Sequence, residues 1–489
     1  MDVSQYKDIE EKELELSLKE IFKDMVKYFP SKLSGLLGNT AVIPIYTNLL
    51  SVEQYGIYTL TIAFLSFLCI IFSDWVGLSG LRFFKHHEIK DEISKYLSTL
   101  IGLLVANIIV MFILAIIFKS YFCSFFKLST NIFFMVLFLI IPVAVRALFF
   151  QILRAQIKPI AFTISTIINQ ILTILISVVL IKTLNWGAYA MLMGMVISIT
   201  FTDILLIFQS NISKHFGFSK PKWEILSSLY LYGIPLSITS ISLWGINQSN
   251  RFILGRLYSF NEVGLSGVAY GVTFPILSTL FVVISLAAIP RIIHMYEEKI
   301  NVRPIISRLT GYYCLLALPI IVLYSIYSKE VINLLANPKF AAAYIVVPYL
   351  AVSCFVHSLT DYTTLQYNLS KKTYIDTIIR VFSGLVGLAL NIILIKKMGL
   401  LGMGIATMLG NLLHFVLTLI VVIPGLSWQV PYKKLINITV SFVPPAFIYL
   451  FVFNEFSINA AIEASLLYAV YYLSYYVVSR FINKTKVSN

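Results

Sequence analysis

The side chains with the most chemistry to offer stand inside stretches of this chain that are otherwise apolar. Arg146 sits about two turns in from the polar end of the run 131–153, just after Pro142, too deep to stretch its guanidinium to the surface. It must meet an anion, a hydrated hollow, or an acidic side chain such as Asp203 of the run 187–209. Arg251 follows Asn247, Gln248 and Asn250, an unusual polar cluster for a lipid-exposed helix, so that face should look inward. Arg82 ends the apolar run that holds Asp74, Gly77 and Gly80, and Arg291 repeats its situation after Pro290. Forked guanidinium donors match phosphate oxygens, so this pair would suit a doubly negative head group; the same places also suit side chains that snorkel to a helix end.

His357 and Asp361 are one turn apart on another apolar run, where they either carry a coupling proton or simply hydrogen-bond. Asp376 and Arg380, also one turn apart, can neutralise each other along one helix. Asp74, Asp203, His357 and Asp361 are therefore the candidates for ion coupling, and Arg82, Arg146, Arg251, Arg291, Asn247, Gln248 and Asn250 those for binding a phosphorylated head group and what it carries. No nucleophile elbow, phosphate-loop lysine or His/Asp pair on an aqueous domain accompanies them, so neither catalysis nor internal ATP hydrolysis is expected. Cys69, Cys123, Cys314 and Cys354 are far apart and mark neither a disulfide framework nor a metal site, and no cofactor is expected.

The elements that must position these groups are membrane helices. Hydrophobic residues make up 58% of the 489, charged ones only 12%, and mean hydropathy is +0.86, which excludes a soluble fold. The pattern predicts an all-α polytopic membrane protein with about 14 spans. Their expected limits are 33–50, 55–80, 97–118, 131–153, 159–182, 187–209, 229–255, 263–289, 305–327, 341–366, 374–395, 400–423, 435–453 and 458–479. The net charge of +14 lies in the loops between spans instead of forming one basic face, so it reads as a topology signal and no nucleic acid is expected. With the N-terminus inside, about 26 of the 37 Lys and Arg fall on the inner side and about 8 outside. Both termini should be cytoplasmic.

Leu14, Leu18, Ile21, Met25 and Phe29 recur at helical spacing, which predicts an amphipathic helix on the membrane surface over 1–30 rather than a cleavable signal. An internal repeat is also visible. The octapeptide LLSVEQYG at 49–56 matches LYSFNEVG at 257–264, and LeuIleLys at 180–182 matches 394–396, each copy preceding a span that starts near a glycine, Gly187 or Gly402. Offsets of about 208 and 214 residues predict two related six-helix bundles, 31–210 and 229–424, joined by a cytoplasmic linker at 211–228. Two further spans and a tail occupy 425–489.

Four stretches carry a resemblance to a known family: 39–58 (NTAVIPIYTNLLSVEQYGIY), 77–84 (GLSGLRFF), 231–236 (LYGIPL) and 250–255 (NRFILG). They resemble the O-antigen and polysaccharide flippases (Wzx type) of the multidrug/oligosaccharidyl-lipid/polysaccharide exporter superfamily, and with the repeat the likeness covers nearly the whole chain. The resemblance implies a MATE-like fold of two bundles around a cationic central cavity, alternating between inward-open and outward-open states. It implies an undecaprenyl-diphosphate-linked oligosaccharide as cargo, membrane lipid around the polyprenyl tail, the bacterial inner membrane as location, and a polysaccharide polymerase and chain-length regulator as pathway partners. One departure is Asn250, where many relatives carry Asp before the arginine, which makes the Arg251 charge more available to an anion. A drug or cation antiporter of the same superfamily would show an acidic cavity with few arginines, and a lipid II flippase would differ only in cargo. A membrane polymerase or ligase needs a large outside loop, and the longest here hold about a dozen residues.

Overall fold

The computed structural model describes residues 18–23, 25–26, 32–33, 35–36, 38, 40–90, 92–156, 158–210, 222–450 and 459–487, with backbone alone at 159 and 481–487. Every regular element among them is helical. Among the described residues eleven helices are long and apolar enough to cross a bilayer. The difference from fourteen lies in three places. The expected eleventh and twelfth spans run on within Thr373–Ile420 as two helices that meet at Gly399, whose φ of 56° and ψ of −130° suit only a residue without a β-carbon. The first span is helical over 40–49, with part of it outside the described residues. The thirteenth is broken into Tyr432–Val440 and Val443–Ile448, where Pro444 and Pro445 cannot donate to a continuous ladder.

Local chemistry sets the helix ends. Ser51 caps Val52–Cys69 in a capping box with Gln54, and Ser129 caps Thr130–Ala155 by accepting from the Ile132 amide. Asn185 and Gly187, both at positive φ, turn the chain from Pro159–Leu184 into Ala188–Ser210. A π-turn at Ile70–Asp74 joins Val52–Cys69 to Trp75–Ile89 without breaking the rod. The polarity is that of a lipid-embedded protein: Val105, Ile109, Ile113 and Ile116 form an exposed stripe, whereas Thr59, Thr99, Thr202 and Asn250 are buried.

Contacts divide the chain into two units. One comprises Leu37–Val268 and Thr377–Gly410. Its core gathers Trp75, Tyr96, Leu100, Leu148, Ile152 and Leu206, and its most intimate helix pair is Pro159–Leu184 against Ala188–Ser210. There a β-carbon on Gly194 would fall 2.2 Å from the Ser177 hydroxyl, so only glycine permits the approach. The other unit comprises Met1–Leu36, Ala269–Asp376 and Asn411–Asn489. It is built around Tyr313, stacked on Phe355 at 5.6 Å, with Phe281 edge-on to Tyr362 at 5.1 Å. Within it Gln366 closes the end of Thr373–Ile420, donating to the Thr418 carbonyl and accepting from the Ile423 amide.

Of the expected N-terminal amphipathic helix, residues 18–23 and 25–26 are helical; Leu18 and Ile21 are buried against protein while Lys19, Glu20 and Lys23 are exposed. Leu14 and Phe29 lie outside the described residues, as does 211–221 of the expected linker.

Candidate functional site

In the unit containing Leu37–Val268, Thr130–Ala155 carries Arg146 just beyond Pro142. The guanidinium Nη1 donates to Asn169 Oδ1 at 2.6 Å, across to Pro159–Leu184. Asn169 in turn donates to Thr202 Oγ1 at 3.3 Å on Ala188–Ser210. Asp203, next along that helix, is 5% exposed, and its Oδ1 has no hydrogen-bond partner among the described residues. It lies within electrostatic reach of Arg146, which also interacts with Cys69, and Cys69 with Asp74. Of the sequence-predicted residues, then, the structure gathers Arg146, Asp203 and Asp74 into one neighbourhood. Ser73 donates to Asp74 at 3.3 Å, at the end of the π-turn.

The Arg146 contact is one rung of a polar ladder. Ser165, Asn169, Thr173 and Ser177 recur every four residues on one face of Pro159–Leu184. They meet Gln209 at 2.9 Å, Thr202 at 3.3 Å, Ser198 at 2.5 Å and the Met191 carbonyl at 3.5 Å. Sequence reasoning missed Asn169 and its neighbours, although their four-residue spacing inside an apolar run was there to be read.

Arg251 stands just after a helix break. Trp223–Asn247 stops at Gln248, whose φ of −125° is not helical, and the helix resumes as Ser249–Leu257. Trp244 anchors the approach, its indole N–H shared between the Ala63 carbonyl and Ser66 hydroxyl at 3.1 Å each. Asn250 is fully buried and donates to Thr407 Oγ1 at 3.2 Å, so it ties the break to the 377–410 segment instead of facing an open space. Asn247 donates to its own helix at Leu243. Arg251 is in electrostatic reach of Tyr55 and Tyr58, and the Tyr46 ring lies 6.4 Å from that of Tyr58. Arg82 is exposed midway along Trp75–Ile89, so it does not end the helix as expected; the helix runs on through the polar residues that follow and stops at Ile89. Beyond that end Lys222 donates to Glu92 at 2.6 Å, which holds the Glu92 carboxyl below its ordinary range and the Lys222 ammonium above its own.

In the other unit Arg291 forms an ion pair with Glu20, a partner the sequence reading did not give it. His357 is half-buried, and its Nδ1 has no hydrogen-bond partner among the described residues; Asp361 follows one turn later on the same helix, and its carbonyl accepts from Thr364. Asp376 approaches the fully buried His414 to 4.0 Å, a contact made between two arms of Thr373–Ile420 that are 38 residues apart in sequence and hence invisible to a one-turn pattern. Among the described residues no group of three or more His, Cys, Asp or Glu could hold a metal ion.

Comparison with known proteins follows the same lines. Residues 45–345 match the family model described as polysaccharide biosynthesis protein. The chain is similar in structure to the lipid II flippase MurJ in an inward closed conformation, at 17% identity and a TM-score of 0.74, covering 94% of this chain and 99% of that one. It is also similar to a multidrug resistance MATE family transporter of the MOP superfamily. The inward-facing form of that transporter gives 15% identity, a TM-score of 0.61, and coverage of 79% of this chain and 92% of that one. An outward-facing form gives 15%, 0.51, 82% and 93%. No curated protein matches in sequence. At such identities these likenesses speak to the fold, which is the MATE-like, all-helical membrane fold expected from the sequence.

Proposed function

Because the chain belongs to the polysaccharide biosynthesis protein family, we propose that it flips an undecaprenyl-diphosphate-linked oligosaccharide, an O-antigen or capsule repeat unit, across the bacterial inner membrane by alternating access. Its structural neighbours are a flippase and drug transporters, and nothing in the chain suits ATP hydrolysis, so the driving force would be an ion gradient, the membrane potential or substrate supply. Both termini would be cytoplasmic, with a polymerase and a chain-length regulator acting on the product outside.

The observation that carries this reading is the state of Arg146. A guanidinium between apolar helices is costly unless an anion or a polar partner receives it, and here a neutral amide does. That arrangement leaves a positive charge able to exchange its partner for a phosphate oxygen. Arg251, in electrostatic reach of Tyr55 and Tyr58, would offer a second cation, with the sugars hydrogen-bonding to phenols and amides and the polyprenyl tail remaining in lipid. An antiporter for organic cations would want carboxylates without a competing arginine, whereas Asp203 here has Arg146 in electrostatic reach. A lipid II cargo is the competing choice, favoured by the MurJ-like fold.

Surface glycan display in cells carrying Arg146→Ala or Arg251→Ala tests the proposal. Loss of display in both is expected; undiminished display in both would remove the role given to these residues.

A further inference from the structure

We infer that Asn169 is a positioning residue for the anionic head group: it holds the Arg146 guanidinium through a neutral amide and so keeps that charge from being spent on Asp203. This deepens the flippase reading and rests on it.

The hydrogen-bond network fixes which way the Asn169 amide points. The Thr202 hydroxyl donates to the backbone carbonyls of its own helix, Ser198 and Ile199, each at 2.9 Å. Its single hydrogen is thus committed, and toward Asn169 it can only accept. The Asn169 NH2 group must therefore face Thr202, which turns Oδ1 toward Arg146, a side chain that can only donate. Thr202 sets the amide, and the amide sets the arginine.

Among the described residues Asp203 and Cys69 are the ionisable groups in electrostatic reach of Arg146, and Asp203 sits one residue beyond Thr202 on the same helix. A carboxylate takes a guanidinium in a charge-assisted, often bidentate pair, far harder to displace than a single bond to a neutral carbonyl. With Asn169 as the hydrogen-bond acceptor, an arriving diphosphate displaces an amide and not a carboxylate. The chemistry asked of position 169 is hence specific: an acceptor oxygen without charge.

Asn169→Asp makes the smallest change that reverses this property, since it keeps the shape, still accepts from Arg146, and can accept from a Thr202 hydroxyl that re-aims. The measurement is binding of undecaprenyl diphosphate to the purified full-length chain in detergent, with thermal unfolding recorded in parallel. Wild type should bind. Asn169→Asp should weaken binding by about tenfold or more with little change in the unfolding midpoint. Asp203→Asn, which removes the competitor, should bind at least as tightly as wild type, and the double variant should stay weak because its one acid is in direct contact with Arg146. A purely structural Asn169 predicts binding that follows stability and a double variant, equal in charge to wild type, that recovers. Wild-type affinity in Asn169→Asp, recovery in the double variant, or weakened binding in Asp203→Asn overturns the inference while leaving the flippase reading in place. Absence of binding by wild type overturns both.

Discussion

Gly56 and Gly264 lie backbone against backbone: a β-carbon on Gly56 would sit 2.9 Å from the Gly264 nitrogen, and one on Gly264 would sit 3.2 Å from the Gly56 nitrogen. They are the last residues of the two matched octapeptides, so the glycine each copy retains is the one that lets its helix touch the other copy. The nearest clashes would be with the Phe260 carbonyl at 1.8 Å and the Val52 carbonyl at 2.2 Å, both backbone atoms that cannot swing aside.

Gly56→Ala and Gly264→Ala should therefore each destabilise the protein by about 1–3 kcal/mol, with Gly56→Ala the worse. Gly102 has nothing within 4 Å of its would-be β-carbon and lies mid-helix, so Gly102→Ala should be neutral or stabilising by up to ~1 kcal/mol. Thermal unfolding of the purified variants gives the comparison; equal midpoints for all three would refute the close-contact account.

This contact shows what a sequence can and cannot disclose about such a protein. Apolar length located most of the spans, because membrane insertion is a local rule, but not their ends: Trp75–Ile89 runs on past 80 and Phe260–Glu297 past 289. The repeat pointed to Gly56 and Gly264 as corresponding residues, but their meeting in space is tertiary. The same limit applies to the site. Arg146 could be singled out because a charge in an apolar run is conspicuous, whereas Asn169, its partner 23 residues away, is an unremarkable amide until the helices are paired. Asn250 reads as site-facing from its polar neighbours, yet it is buried against Thr407, 157 residues on.

Arg291 is engaged by Glu20, and Phe22 beside that glutamate packs edge-on to Tyr312 at 5.1 Å. If Arg291 receives phosphate, Glu20 competes with it. Glu20→Gln should tighten binding of undecaprenyl diphosphate while shifting stability by less than ~1 kcal/mol, since the glutamate is about half exposed. Weaker binding in this variant would show that the pair orients Arg291 rather than blocking it.

The Glu92–Lys222 pair gives a pH signature. The folded-state pKa of Glu92 is depressed from its ordinary 4.5, so its contribution is present above that value and is lost as pH falls through the folded one. That of Lys222 is raised from 10.5, so its contribution is present below that value and is lost as pH rises through the folded one. Glu92→Gln should lower the unfolding midpoint between about pH 5 and about pH 10, and its curve should converge on wild type toward acid. A difference that persists undiminished, or grows, at the acid extreme where the carboxyl is protonated in both states contradicts this assignment.

The account stands or falls on whether the membrane-embedded arginines receive a diphosphate-linked lipid. The direct measurement is translocation of a fluorescent undecaprenyl-diphosphate oligosaccharide in proteoliposomes, comparing wild type with Arg146→Ala and with the fully folded Arg146→Lys. The account predicts flipping by wild type, its loss in Arg146→Ala, and partial retention in Arg146→Lys, which keeps the charge without the fork. Wild-type vesicles no faster than protein-free ones, or undiminished flipping in Arg146→Ala, would contradict it.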